Sequence, residues 1–277
     1  MQSLINHLNQ LQDLVLTRDE HRQTGDGSHL DSLNDSIDEL VEKLPPDVRS
    51  HWQLLSKRDH VVMSPMYNGS CSVCGMRLPI AQVQAVRMCK TLQNCPSCTR
   101  ILFEENDAPQ WIGERPSRNA PRKSGVSRFS APSLMIPALK ATNGAEAITE
   151  LAQLMEEMKF ISRSDRLIQN ALEREAILST AMENGIAFPH VRGVEGGGLT
   201  FALGISKEGI PFDEDGTIVN IIFLITIPSA VSAFYLRLMS MLTETFIKEQ
   251  HRQALLASEN QDQLWKALTK ATRYCIK

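Results

Sequence analysis

Three things are scarce in this sequence, and each scarcity argues against a class of function. Charge of one sign is the first. Lys and Arg together number 29 against 32 Asp and Glu, a net charge of −3. A dedicated nucleic-acid binder usually carries a strong basic excess, so nucleic acid is not a favoured partner. Long apolar runs are the second. The longest, Ile218 to Ile227, is broken by Asn220 and Thr226 and falls far short of the roughly 20 residues that a spanning helix needs, so no membrane insertion is expected. The third is any secretory signature. Met1 to Val15 has neither a basic start nor an apolar stretch, which predicts no secretory signal and a cytoplasmic protein. No internal repeat stands out either.

What is present divides the chain. Its 277 residues suffice for two ordinary domains, and 42% hydrophobic content lets each bury a core. Leu4, Leu8, Leu11 and Val15, then Leu30, Leu33, Ile37, Leu40 and Leu44, follow the three/four spacing of a helical seam. The turn-forming TGDGSHLD lies between them, and Pro45-Pro46 stops the second helix. The pattern predicts an antiparallel coiled-coil hairpin over 1–60, acting as a spacer. Residues 61–105 are rich in Cys, Gly and Pro. Residues 106–132 are dense in Pro, Ser, Gly and Arg and read as a disordered linker. From 133 to 277 the pattern is globular α/β. Helices are expected at 145–158, from an N-cap at Ser164, at about 230–247 and at about 260–272. Strands are expected at 185–188, 199–205 and 218–226, the last apolar enough to be buried on both faces.

The cysteines carry the first chemical signal. Cys71 and Cys74 form one CxxC pair, and Cys95 and Cys98 a second, with twenty residues between the pairs. Two such knuckles bring four thiolates to one tetrahedral site, the arrangement of structural zinc. Gly75 permits the tight turn after the first pair. A redox CxxC is the competing reading, and two copies without a thioredoxin-like frame argue against it. Cys89 and Cys275 are read as spare thiols, and His60 as surplus to a filled shell. The run VVMSPMYNGSCSVCGMRLP followed by NCPSCTRILF resembles the bacterial family of coiled-coil proteins ending in a C4 zinc ribbon. Cys71, Cys74, Met76, Leu78, Pro79, Cys95, Pro96, Cys98, Arg100, Ile101 and Leu102 fall on that family's pattern. Thr99 departs from it, since the family tends to have Gly there. The resemblance covers about residues 1–105. It implies a Zn²⁺ site and a role exerted through interactions, nucleic acid among the partners the family admits.

The second signal is a histidine. Arg174-Glu-Ala-Ile-Leu-Ser-Thr180 is followed by Glu183-Asn-Gly-Ile-Ala-Phe-Pro-His190. This long, unevenly spaced pattern resembles the type 2 (mannitol/fructose and nitrogen-regulatory) IIA domain of the bacterial sugar phosphotransferase system. The likeness extends over about residues 133–273 and includes Pro211-Phe-Asp213. It implies a mixed sheet flanked by helices, and a phosphocarrier. His190 would accept a phosphoryl group from a phosphohistidine carrier protein, Arg174 would bind its oxygens, and Thr180 would donate a hydroxyl hydrogen bond to it. The residue types suit that chemistry. Neutral imidazole is a nucleophile near neutral pH, and a guanidinium presents a fork of donors to phosphoryl oxygens. Tyr235 stands where the family commonly has a second active-site histidine, so it offers a hydroxyl without a charge. The glycines Gly193, Gly196, Gly197 and Gly198 are expected to leave the adjoining loop open to a partner. A carrier must admit two proteins to one nitrogen, so His190 is expected in a shallow surface depression beside Arg174 and Tyr235. Two functions then compete: a phosphotransferase component, relaying phosphate or switching an unknown regulated partner, and a non-catalytic zinc-ribbon scaffold whose IIA-like half only binds. With no IIB-like Cys motif or transporter segment alongside, the regulatory form of the first is favoured.

Overall fold

A computed structural model describes residues 1–24, 30–104, 108–113, 124–182 and 184–276. The chain divides into two compact units, Met1–Asn106 and Asp107–Lys277.

In the first unit, α1 (Gln2–Thr24) and α2 (Leu30–Glu42) pack together, and Pro46 opens α3 (Pro46–Ser56). Most of the expected glycine-containing link between α1 and α2 lies outside the described residues. Leu8, Leu11 and Val15 share a core with Ile37, Trp52 and Leu55. Val62, Met63 and Ile101 belong to the same core, so the helices and the cysteine-bearing segment form one unit, not the two expected on either side of residue 60. Four short strands follow: β1 (Met63–Tyr67), β2 (Ser70–Cys71), β3 (Gln93–Asn94) and β4 (Ile101–Phe103), in the order β2-β1-β4-β3. The helix α4 (Ile80–Met88) lies between β2 and β3 in sequence. Gln12, buried on α1, clamps the entry to β1. Its amide donates to the carbonyl of His60 at 2.6 Å, and its oxygen accepts from the N–H of Val62 at 2.6 Å and of Met63 at 3.1 Å.

The second unit is a mixed sheet flanked by helices. A two-stranded piece pairs β5 (Gln110–Trp111) with a strand after α5, described below. The main sheet begins with β6 (Met135–Ile136), and α5 (Gly144–Glu157) follows, capped by Asn143, whose side chain accepts from the N–H of Glu146 at 2.9 Å. Next come β7 (Ile161–Ser162), the partner of β5, and α6 (Ser164–Ile177). Ser164 is the first helical residue and not the expected N-cap; Arg163 caps with a φ of 62°. The Ser164 hydroxyl bonds the carboxylate of Glu156 instead. Four strands continue the sheet: β8 (Ala181–Met182), β9 (Ile186–Ala187), β10 (His190–Arg192) and β11 (Thr200–Pro211). The long β12 (Ile218–Ile227) completes it, and its residues from Ile221 to Ile227 are all buried, as the apolar run predicts. The order is β6-β11-β12-β9-β8, and β10 also pairs with β12. The helices α7 (Ser232–Phe246), α8 (Glu249–Leu256) and α9 (Gln261–Thr272) end the fold. No helix among the described residues is long and apolar enough to cross a membrane.

The expected linker is largely overturned where it is described. Trp111 donates its N–H to the carbonyl of Glu195 at 2.8 Å, and Ile112 donates to that of Phe160 at 2.8 Å. Val126 and Phe129 are buried in the main core, and the Ser130 hydroxyl donates to the carbonyl of Phe201 at 2.8 Å. Composition suggested a tether because Pro, Ser and Arg dominate locally. The few apolar residues among them find their partners far away in sequence. Residues 114–123 lie outside the described residues.

Candidate functional site

His190 owes its position to an interrupted strand edge. β9 and β10 lie one after the other along the same edge of β12, pairing with Ile221–Ile222 and Ile225–Ile227 respectively. Phe188-Pro189 separates them. Pro189 has no N–H to give to a ladder. The carbonyl of Phe188 turns to the imidazole and lies 3.0 Å from Nδ1 of His190. A carbonyl oxygen only accepts, so Nδ1 carries the proton and Nε2 keeps its lone pair.

Arg174, in the last turn of α6, donates from Nε to that Nε2 at 3.3 Å. Its Nη1 donates to the carbonyl of Leu178 at 2.8 Å, which holds the guanidinium in place. Tyr235, on α7, places its ring centroid 5.2 Å from that of His190 at a tilt of 42°. The guanidinium of Arg192, two residues along β10, lies 5.1 Å from the Tyr235 centroid. Among the residues picked out from sequence, His190, Arg174 and Tyr235 therefore meet.

Three expectations need correction. His190 is 2% exposed and Tyr235 is fully buried, so the ring does not lie in an open depression. Arg174 covers the lone pair, and the Tyr235 ring lies beside the imidazole. Thr180 is turned elsewhere. Its hydroxyl donates to Oε1 of Glu175 and its N–H to Oε2, both at 2.8 Å, so its donors are already used. The glycine loop is open at Gly198 but closed at Gly197. A Cβ on Gly197 would come within 2.1 Å of the Trp111 indole, and Gln110 bridges to Glu195. The loop admits an aromatic ring at close range because it lacks side chains there.

Sequence reasoning passed over Glu175, although it adjoins Arg174. Burial pushes its carboxyl up, opposed by the Arg174 charge and by the two hydrogen bonds from Thr180. Asp213 ties down the same neighbourhood. Burial pushes its carboxyl up, but hydrogen bonds from Thr217 and Ser179 outweigh this and hold it below the usual range.

In the first unit, one sulfur from each of Cys71, Cys74, Cys95 and Cys98 lies within 4.8 Å of all the others. Cys71 and Cys98 are 3.7 Å apart, and Cys74 and Cys95 are 3.6 Å apart. Four thiolates about 2.3 Å from a central ion stand about 3.8 Å from each other, so the donor set fits a tetrahedral thiolate-bound metal. The two knuckles are built alike. Cys71 donates its N–H to Met76 O at 2.9 Å and accepts from Gly75 N–H at 2.8 Å. Cys95 donates to Arg100 O at 2.8 Å and accepts from Thr99 N–H at 2.9 Å. Gly75 has a φ of 74° and Thr99 a φ of 63°. The left-handed backbone explains why glycine is expected after the second pair. Burial pushes the Cys95 thiol up to about 12. At Cys74 burial acts the same way, but hydrogen bonds from the Met76 backbone and the other thiols bring it to about 7. His60 is engaged with Asp19 at 2.6 Å, consistent with its reading as a non-ligand.

Comparison with known proteins covers both units. Residues 129–271 match the family described as phosphoenolpyruvate-dependent sugar phosphotransferase system, EIIA 2. Residues 70–102 match the C4-type zinc ribbon domain. Over 115 residues the chain is 30% identical to the PTS system fructose-specific EIIA component of Haloferax volcanii, covering 41% of this chain and 75% of that protein. Over 116 residues it is 26% identical to the PTS system fructose-specific EIIABC component of Bacillus subtilis. That match covers 42% of this chain but spans only 18% of the longer relative. Among solved structures, the Nitrogen Regulatory Protein IIA-Ntr from Neisseria meningitidis is 21% identical, with a TM-score of 0.46, over 51% of this chain and 97% of that one.

Proposed function

The chain belongs, through residues 129–271, to the EIIA 2 family of the phosphoenolpyruvate-dependent sugar phosphotransferase system, and from that premise we propose that His190 is its phosphoryl acceptor. The observation that carries this reading is the pair of partners on the imidazole. Phe188 O fixes the proton on Nδ1, and Arg174 faces the lone pair on Nε2. In the proposed step, Nε2 attacks the phosphorus of a phosphohistidine carrier protein. One P–N bond forms as the carrier's P–N bond breaks, and that electron pair returns to the carrier's imidazole. The proton on Nδ1 stays where it is. The ring becomes positive, and the Phe188 carbonyl dipole offsets that charge. Arg174 moves from Nε2 to a phosphoryl oxygen. Tyr235 orients the ring from one side, while Glu175 and Thr180 hold the turn after α6 in shape. Transfer onward, or a change of charge at the site that switches a regulated partner, completes the cycle in the cytoplasm.

For the first unit, we propose that the four cysteines bind one structural Zn²⁺. The ion would staple a ribbon too small to fold on its own core, and the unit would serve in partner recognition.

Incubation of the full chain with phosphoenolpyruvate and the general phosphotransfer proteins tests the first proposal. One acid-labile phosphate per chain is expected on the wild type and none on His190→Ala. A second reading, a binding module without turnover, draws on the 2% exposure of His190. An unlabelled wild type would establish that reading instead.

A further inference from the structure

A phosphoryl group on Nε2 of His190 would be a dianion beside a side chain that is 2% exposed. Little water would reach it, so its charge has to be met by the protein. Arg174 supplies one positive charge from α6, and Nη1 of that guanidinium is held by Leu178 O. Tyr235 supplies none. A second cation stands close by on another element. Arg192 follows His190 by two residues on β10, so both side chains leave the same face of the strand. Their Cα atoms are about 7 Å apart at ordinary strand rise, within the reach of an arginine side chain. The Tyr235 ring lies beside both, 5.2 Å from the imidazole and 5.1 Å from the Arg192 guanidinium, centre to centre. That ring is fully buried, whereas Arg192 is half-buried, so the guanidinium is laid over an immobile aromatic platform next to the acceptor.

We propose that Arg192 is a second phosphoryl-binding residue of the site. It forms with Arg174 a two-sided clamp on the phosphoryl group of His190, and Tyr235 is the platform that orients it. The inference rests on the phosphocarrier reading. It adds a second guanidinium for the phosphoryl oxygens, beyond the charges of Arg174 and of the phosphorylated ring itself. When His190 is phosphorylated, the Arg192 guanidinium turns from the Tyr235 face and donates to phosphoryl oxygens. No bond to Arg192 is made or broken, and its charge is unchanged throughout.

The test uses the full chain and two phosphoryl sources, the carrier cascade and the small-molecule donor phosphoramidate. The variants are Arg192→Met, Arg192→Lys and His190→Ala. Arg192→Met keeps an aliphatic cover over Tyr235 and removes the charge. Its rate of labelling should fall by about 10²–10³-fold, the scale of losing one preorganised donor to a developing charge. Arg192→Lys should recover a substantial part of that loss, which a merely structural role would not produce. Unfolding midpoints of both variants should match the wild type. Labelling of Arg192→Met at the wild-type rate, with His190→Ala unlabelled, would overturn the clamp and leave the carrier reading intact. If neither source labels the wild type, both readings fall together.

Discussion

The α-carbon of Gly197 lies against the face of the Trp111 indole, so close that a Cβ there would stand 2.1 Å from the ring. Gly113 presses on the same ring, where a Cβ would come within 2.5 Å. Two glycines thus make room for one indole, and neither has an interchangeable role. Gly198 is the natural contrast, since a Cβ there meets nothing within 4 Å. Gly197→Ala should expel Trp111 and destabilise the second unit by about 1–3 kcal/mol, the usual cost of overpacking. Gly198→Ala should change stability little. Tryptophan emission during chemical unfolding reports both, and a Gly197→Ala protein with native emission and an unshifted midpoint would contradict the packing.

Truncation provides a second check. A fragment of residues 108–277 should unfold cooperatively, because it retains β5 and the buried Val126 and Phe129. A fragment of residues 133–277 loses both side chains, each contributing about 1.5–3 kcal/mol by burial. It also loses the reciprocal bonds between Phe129 O and Phe201 N–H and between Ser130 Oγ and Phe201 O. Calorimetry should show a clear drop in melting temperature for the shorter fragment. Equal melting temperatures would mean that the segment before residue 133 adds nothing.

Glu175 makes stability depend on pH in a direction opposite to that of a salt-bridged acid. Burial raises its carboxyl in the folded state above the ordinary value of 4.5. The folded chain therefore holds that proton more tightly than the unfolded one. The contribution is fully present below pH 4.5 and is lost as pH rises through the folded value. Glu175→Gln has no proton to lose, and its amide can still accept from Thr180 N–H and donate to the Thr180 hydroxyl. Its melting temperature should gain on the wild type as pH is raised toward neutrality. Parallel curves for the two proteins would remove Glu175 as the source of the slope.

Chelation should unfold the ribbon of the first unit and leave the second unit folded, with one zinc released per chain. Thr99→Gly should make the ribbon harder to strip. A β-branched residue at a φ of 63° carries a left-handed strain of about 1–2 kcal/mol, which glycine relieves in part at the cost of its own chain entropy. Competition with a chromogenic chelator measures the difference, and a Thr99→Gly protein that yields its metal more readily would contradict this account.

How much of this was legible beforehand depends on the distance over which each feature is encoded. The two cysteine pairs are local, and the spacing alone brings their sulfurs together. β12 is legible because Ile221 to Ile227 form a nearly unbroken apolar run. The meeting of Arg174, His190 and Tyr235 follows from the family likeness. The burial of His190 does not, because the residues that cover it, Arg174 and Tyr235, lie 16 and 45 positions away in the chain (190 less 174, 235 less 190). Trp111 shows the same limit. Its neighbourhood is polar and proline-rich, and nothing in that composition points to Gly197, 86 positions away in the chain (197 less 111). The likeness gives Thr180 to a phosphate, and nothing in it points to the bond that the Thr180 hydroxyl makes here to Glu175, five residues away, which only the turn that closes α6 allows.

The break at Phe188-Pro189 has a mechanical implication. The imidazole is anchored through main-chain atoms: Ile225 N–H bonds Pro189 O at 2.9 Å, and Phe188 O holds Nδ1. No neighbouring side chain is needed to set the tautomer. On the proposed phosphocarrier reading, the acceptor nitrogen is thus as stiff as the sheet edge that carries it, while the charges around it ride on long, jointed arginines. Substitutions around the site should then change how fast phosphate arrives and leaves without changing which nitrogen receives it.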